Sequence, residues 1–364
     1  MADKALQQRD VRAIDGKSPT AARGSLDRDK VTINDIARLA NVSKKTVSRV
    51  LNDHPIVRDE TRAKVKQIMI EQGYAPDPQA RALAFRRSFL IALAYDNPSP
   101  QYVVNMQRGI LDQLDGSDYQ LVLHPVDRIQ SGFIEKMELF VERHRPAGVI
   151  MPPSVSEDEA LCEMLRGQGC PYVRIASVDL DAASKLVRTF DADGAAQAAR
   201  HLASLGHTRI AHIHGPKSFR SAHERLAGFK SGLAEFGLEL DDALTIEAGY
   251  TFDSGVRAAD NLLARPNRPS AVFAGNDEMA IGVFTSARKL GLSIPEDLSV
   301  VGFDDTPMAS RIAPALTTVR LPIREMGNAA ARGLMRLISG DDEAAVNDSF
   351  NHELIVREST RAFN

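Results

Sequence analysis

From Phe89 onward the chain repeats one alternation, a short apolar run followed by a longer stretch whose apolar residues fall at helical spacing. The runs read FLIALAY, QLVLHPV, GVIMPP, YVRIAS, RIAHIHG, LTIEAG, AVFAGN and LSVVGFD. Strands that alternate with helices pair in parallel, and a parallel sheet needs cover on both faces. About eight such runs over some 270 residues exceed what one sheet comfortably holds. The pattern therefore predicts two similar doubly wound α/β lobes, with a ligand cleft between the carboxyl ends of their strands. Residues just after strands are the ones to examine for chemistry.

The amino-terminal quarter follows another rule. In VTINDIARLA, residues 31–40, Thr32 has the position of an N-cap, Asp35 that of its capping-box partner, and Val31 can staple onto Ile36. Ile33, Ile36, Ala37 and Ala40 give this helix one apolar side. In the next segment, NVSKKTVSRVLND, Ser43 is the expected N-cap and Lys44 the first helical residue. Val47, Val50 and Leu51 then form a buried stripe, leaving Lys44, Lys45, Ser48, Arg49 and Asn52 on the opposite face. With only Ala40 to Val42 between them, the two helices must cross sharply as a helix-turn-helix. In that arrangement the second helix lies in the DNA major groove, its first residues at base edges and its capping end near phosphates.

A third helix is expected in VRDETRAKVKQIMIEQGY, with Val65, Ile68 and Met69 inward and Gly73 as its stop. In PDPQARALAFRRS, residues 76–88, Asp77 and Pro78 open a two-turn helix carrying Arg81, Leu83, Arg86 and Arg87. Having no core of its own, that helix should form only when something holds it. The predicted organisation is a disordered tail at 1–29, a DNA-binding domain at 30–75, a hinge helix at 76–88 and a two-lobed body at 89–364.

Charge follows the same division. Residues 30–90 hold 12 Lys/Arg against 6 Asp/Glu, residues 1–29 hold 6 against 5, and the whole chain has a net charge of -3. The remainder therefore carries -10. A basic head on an acidic body suits a polyanion partner at one end only. Cys162 and Cys170, without further Cys/His ligands nearby, read as ordinary thiols of a reducing compartment. Neither a signal-peptide core nor a membrane-length apolar span is evident, so a soluble cytoplasmic protein is expected, with no membrane partner.

The order of TINDIARLANVSKKTVSRVLN, TRAKVKQIMIEQGYAPD, ARAL, GHTRIAHIHGP, ERLAGFKSGL, FAGNDEMAIG, LSVVGFDDT, LTTVR and ELIVREST resembles the lactose-repressor/galactose-repressor family of bacterial transcription regulators, over about residues 31 to 360. The resemblance implies that Lys44, Lys45 and Arg49 read bases, with a preference for guanine, whose O6 and N7 accept from lysine or arginine. It assigns Thr32, Ser43, Thr46, Ser48 and Asn52 to backbone-contacting and supporting positions. Leu83 becomes a wedge into the minor groove, with nearby arginines such as Arg81 at phosphates. In the body it points to Tyr102, Arg225, Tyr250, Asn276 and Asp304 as the effector cleft, with Ser221 and Asp96 as additional candidates. A carboxylate, an amide and a guanidinium can share the vicinal hydroxyls of a sugar while tyrosine rings cover its C–H face.

This chain departs from the family wording at four places. Arg58 stands where a serine often caps the third helix, NPSPQYVVN around Tyr102 differs from the usual NPFF-like form, and Leu321 replaces a common glutamine. No leucine-heptad tail follows ELIVREST, so a two-fold homodimer on a pseudo-palindromic operator is expected rather than a tail-built tetramer.

Enzyme readings fail. His212 and His214 share one strand face near His207, yet no third metal ligand is evident, and structural histidines are expected. Asp304 and Asp305 are adjacent, so on an extended backbone their side chains diverge, a poor start for a glycosidase pair. No nucleophile elbow, P-loop or GxGxxG motif occurs. Catalysis, cofactor and metal are not expected. The predicted function is a repressor of carbohydrate-utilisation genes controlled by a sugar. Control by a purine or a protein corepressor, or a carbohydrate-binding protein without a DNA role, are the alternatives.

Overall fold

Three short helices, each with a single apolar stripe, close on one small core in the amino-terminal unit. The computed structural model describes residues 31–51, 55–74, 88–341 and 349–363. Helix α1 (Ile33–Ala40) starts at the expected capping box, where Thr32 N donates to Asp35 Oδ2 at 3.0 Å and Asp35 N to Thr32 Oγ1 at 3.4 Å. It ends at Asn41, whose φ of 54° is left-handed. Helix α2 (Lys44–Leu51) follows Ser43, whose Oγ accepts from Thr46 N at 3.1 Å. Helix α3 (Asp59–Glu71) begins after Arg58 without a side-chain cap. Ile36, Ala37, Ala40, Val47, Val50, Val57, Val65 and Met69 are buried together, so the stripes read from the sequence are the ones that pack. The expected tail, Asn52, and the hinge positions Arg81 and Leu83 lie outside the described residues.

The body alternates as expected. Its first lobe contains β1 (Leu90–Tyr95), α4 (Pro100–Leu114), β2 (Gln120–Pro125), α5 (Phe133–His144), β3 (Gly148–Met151), α6 (Glu159–Gly167), β4 (Tyr172–Ala176) and β5 (Leu186–Thr189). Helix α7 (Asp191–Ser204) opens the second lobe, followed by β6 (Ile210–His214), α8 (Arg220–Ala234), β7 (Thr245–Glu247), α9 (Phe252–Leu263), β8 (Ala271–Ala274), α10 (Asp277–Lys289), β9 (Ser299–Asp304) and β10 (Thr317–Arg320). The chain then returns through α11 (Ile323–Ser339) and β11 (Ser349–Phe350) to the first lobe, and through β12 (Glu353–Ile355) to the second.

The two sheets have the same winding, β2-β1-β3-β4-β5-β11 and β7-β6-β8-β9-β10-β12. Pairing is parallel throughout, except that β12 runs antiparallel to β10. Strand order reverses between β1 and β3 and again between β6 and β8, which puts a switch-point crevice at the carboxyl end of each sheet. One apolar cluster runs from Ile91 and Ile150 in the first lobe through Leu202 to Phe273 and Phe303 in the second, so the lobes share a continuous core. Backbones meet closely at two helix pairs: a Cβ on Gly109 would lie 1.8 Å from Arg324 O, and one on Gly228 would lie 2.0 Å from Ala192 O.

All eight apolar runs form strands, but β5, β10, β11 and β12 did not stand out in the alternation. In β10 the reason is chemical. Thr317 and Thr318 are fully buried, yet both are polar, and hydrogen bonds such as Thr318 Oγ1 to Asp277 Oδ1 at 2.6 Å satisfy them. A strand buried this way carries no hydropathy signature. The strands β11 and β12 are too short for any period to show.

The chain passes between the lobes three times, at Phe190, at Leu321–Pro322 and at Asn351–His352. Among the described residues, no helix is long and apolar enough to cross a membrane.

Candidate functional site

In the amino-terminal unit, α2 turns Val47 and Val50 inward and leaves Ser43, Lys44 and Lys45 exposed, with Thr46, Ser48 and Arg49 half-buried. Lys44, Lys45 and Arg49 have no acidic partner among the described residues, whereas Arg38 on α1 is paired with Asp35 at 3.0 Å. Ser43 Oγ and Thr46 Oγ1 lie 2.9 Å apart at the start of α2. A cationic face at a helix N-terminus, without an acidic partner among the described residues, has what phosphate and guanine edges require.

In the body, side chains from both lobes converge on one pocket. Its wall includes Tyr102, Ser221, Arg225, Tyr250, Asn276 and Asp304 from the sequence-derived set. Their positions follow from topology. Arg225 sits in the second turn of α8 after β6, Tyr250 follows β7, Asn276 follows β8, and Asp304 ends β9. Tyr102 stands in the first turn of α4, which Ser99 caps.

Arg225 is the centre of the site. Its Nε donates to Asp191 Oδ1 at 2.8 Å and its Nη1 to Gly275 O at 2.6 Å, while the guanidinium lies 3.7 Å above the Phe303 ring. Burial works against the arginine's charge, but Asp191, Tyr250 and Asp304 outweigh it and leave the group more firmly protonated than usual. Asp191 is desolvated as well, yet Arg225 holds its carboxyl below the ordinary range. Asp304, 4.0 Å from Arg225 Nη1, has the opposite fate: burial pushes it well above. The difference is one of contact, because only Asp191 has a direct hydrogen bond.

Asn276 caps α10, its Oδ1 accepting from Met279 N at 3.0 Å, and its Nδ2 donates to Tyr250 O at 3.0 Å. That bond holds Tyr250 at a φ of 58°. The hydroxyls of Tyr102 and Tyr250 are buried without a hydrogen-bond partner, a costly condition that a ligand hydroxyl can relieve. The cavity volume is about 30 Å3. Water fits such a space; a sugar ring requires the lobes to part or the tyrosines to swing.

Three sequence expectations change. Asp96 does not line the pocket. It binds Arg128 Nε at 2.9 Å and accepts from Ser154 Oγ, and Arg128 Nη2 reaches across the cleft to Ser218 O at 2.9 Å. The residue after it, Asn97, takes the place in the wall. Second, Asp304 and Asp305 are not on extended backbone, their φ values being 110° and 52°. Their side chains diverge nonetheless, because Arg320 at 2.8 Å and Arg357 at 2.5 Å draw Asp305 away from the pocket. Third, Asp191 and Thr189 were missed; both line the pocket at the first crossover, after a strand the alternation did not reveal. Leu321, noted for replacing a glutamine, lines the pocket at the second crossover.

The histidines have structural roles. His207 bonds Ser270 Oγ and Ser299 Oγ at 2.9 and 3.0 Å, and His212 stacks on Phe273 at 4.7 Å. Among the described residues no His/Cys/Asp/Glu group is arranged to hold a metal, and Cys162 and Cys170 are buried free thiols.

A three-helix head with an exposed cationic second helix, carried on the same chain as a two-lobed body with a buried polar pocket, defines the class of DNA-binding transcription regulators that bear a periplasmic-binding-protein-like body. Comparison with known proteins agrees. Residues 32–77 match the family described as bacterial regulatory proteins, lacI family, and residues 199–360 match a periplasmic binding protein-like domain. The HTH-type transcriptional regulator DegA of Bacillus subtilis is 34% identical over 337 residues, 92% of this chain and 99% of its own length. A solved complex of the transcriptional regulator CelR with cellobiose has a TM-score of 0.68 at 32% identity, covering 90% of this chain and 99% of the other. The lac repressor dimer bound to operator and the anti-inducer ONPF has a TM-score of 0.74 at 29% identity, covering 91% of this chain and 99% of the other. The chain belongs to the LacI family of bacterial transcription regulators, and its relatives are regulators, not enzymes.

Proposed function

We propose that the protein is a cytoplasmic repressor of carbohydrate-utilisation genes, binding a pseudo-palindromic operator as a homodimer and releasing or tightening its hold when a sugar occupies the interlobe pocket. One observation carries the effector half of this reading: Arg225, fixed by Asp191 and Gly275 O, shares a pocket with Asp304, Asn276 and two unpartnered tyrosine hydroxyls. Such a set suits the vicinal hydroxyls and C–H face of a sugar ring. The cellobiose of the CelR complex supports a sugar, and the operator of the lac repressor complex supports the DNA half.

In this reading Lys44, Lys45 and Arg49 read bases, Thr32, Ser43, Thr46, Ser48 and Asn52 support them, and Leu83 with Arg81 engages the minor groove from a hinge at 76–88. Tyr102, Ser221, Arg225, Tyr250, Asn276 and Asp304 hold the effector. The sugar changes operator affinity only through its different affinity for the two body conformations. Such coupling typically amounts to about 1–3 kcal/mol and is reciprocal. Fluorescence anisotropy with the gene's own upstream duplex, with and without a panel of sugars and nucleobases, tests it. The expected result is specific binding that one sugar shifts, and a matching shift in sugar affinity caused by the duplex. Equal binding to random duplex, or a response to a nucleobase alone, would overturn it.

A further inference from the structure

The charge balance of the pocket narrows the sugar reading, on which this inference rests. One ionised carboxylate, Asp191, and one guanidinium, Arg225, face the pocket together with Asp304, whose carboxyl burial favours in its neutral form, and among the described residues the wall includes no lysine, histidine or second arginine. A guanidinium grips an anion best through two parallel bonds from one edge. Here the edge bearing Nε is occupied by Asp191, and Nη1 already donates to Gly275 O. Asp304 accepts no hydrogen bond from any described residue, its nearest cation being Arg225 at 4.0 Å. The pocket therefore holds a carboxyl, Asp304, and two hydroxyls, Tyr102 Oη and Tyr250 Oη, in want of hydrogen-bond partners.

Hydroxyl groups meet each of these needs. A carboxylate or phosphate meets them less well, because it adds negative charge beside the ionised Asp191 where water is excluded and finds the Nε edge of the cation taken. We propose that the pocket selects uncharged polyhydroxylated ligands and excludes sugar acids and sugar phosphates, and that Asp191, by occupying Arg225, is the residue that sets this selection.

Titration calorimetry of the full-length protein with matched pairs tests it: glucose and glucuronate, galactose and galacturonate, ribose and ribose 5-phosphate. The expected result is binding of the uncharged member of at least one pair, with its charged partner at least about tenfold weaker. Asp191→Asn should narrow that ratio by about tenfold, mainly through a gain by the charged member. Since that exchange leaves Arg225 unpaired and can impair folding, Asp304→Asn, which gives up no hydrogen bond within the protein, is measured alongside and should narrow the ratio to a smaller extent. A charged member that binds the wild type as tightly as its partner overturns the selection but leaves the sugar reading standing, as does an unchanged ratio in a folded Asp191→Asn protein. Silence from every pair in a protein that still melts cooperatively and binds its operator removes the sugar reading and this inference with it.

Discussion

The second helix of the head and the interlobe pocket both depend on cations, and they hold them in opposite ways. Lys44 and Lys45 stand in solvent with no acidic neighbour among the described residues, while Arg225 is buried, clasped by Asp191 and laid on Phe303. An exposed charge costs little to fold and attracts a polyanion over a distance set by salt. A buried charge must be paired before the protein is stable, so it discriminates by shape and proton placement. On the proposed reading, one region answers to charge density and the other to the arrangement of hydroxyls.

The largest test of this contrast removes the buried cation. Arg225→Leu leaves Asp191 without its partner, and breaking a buried pair in this way costs about 3–5 kcal/mol. A fall of that size in chemical denaturation, together with loss of any sugar response, is expected; an unchanged midpoint would break the comparison.

A second test uses pH. Burial pushes Asp277 up to about 7, despite hydrogen bonds from Thr318 Oγ1 and Thr306 N at 2.6 Å each. A carboxyl raised in the folded state favours folding when protonated, so its contribution is complete below pH 4 and is lost as pH rises from 4 to 7. Asp277→Asn should flatten the melting-temperature profile across that window relative to wild type, and parallel profiles would contradict the assignment.

Exposed cations should behave otherwise. Lys44→Ala and Lys45→Ala should each weaken operator binding by about 1–3 kcal/mol if the contact is to a base. Their melting temperatures should barely move, since surface changes usually fall within about 0.5 kcal/mol. A phosphate contact would instead lower the salt slope by about one and weaken all sequences alike. Smallest is Thr32→Ala, which removes the capping box of α1 at about 1 kcal/mol and should appear as earlier unfolding of the head by amide exchange.

How much was legible in the sequence differs between these regions for a physical reason. The caps and stripes of α1 and α2 are local, so Thr32, Asp35, Ser43 and Val47 announce themselves at fixed spacing. The pocket is assembled from distant strands, yet Arg225, Tyr250, Asn276 and Asp304 were reachable because each follows a strand with an apolar signature. Asp191 was not, because β5 reads LVRT and gives no such sign. Nor does local pattern reveal that Asp96 would be drawn to Arg128, or that two arginines would turn Asp305 aside through left-handed backbone. Those outcomes depend on partners 15 to 52 residues away in sequence.

Thr189, Asp191 and Leu321 line the pocket and also flank two of the three crossovers between lobes. On the proposed reading, the surface that tastes the effector is thus built into the crossovers between the lobes. Any substitution that adapts the protein to a new metabolite also alters its springiness, so recognition and the threshold of the genetic response must drift together in evolution.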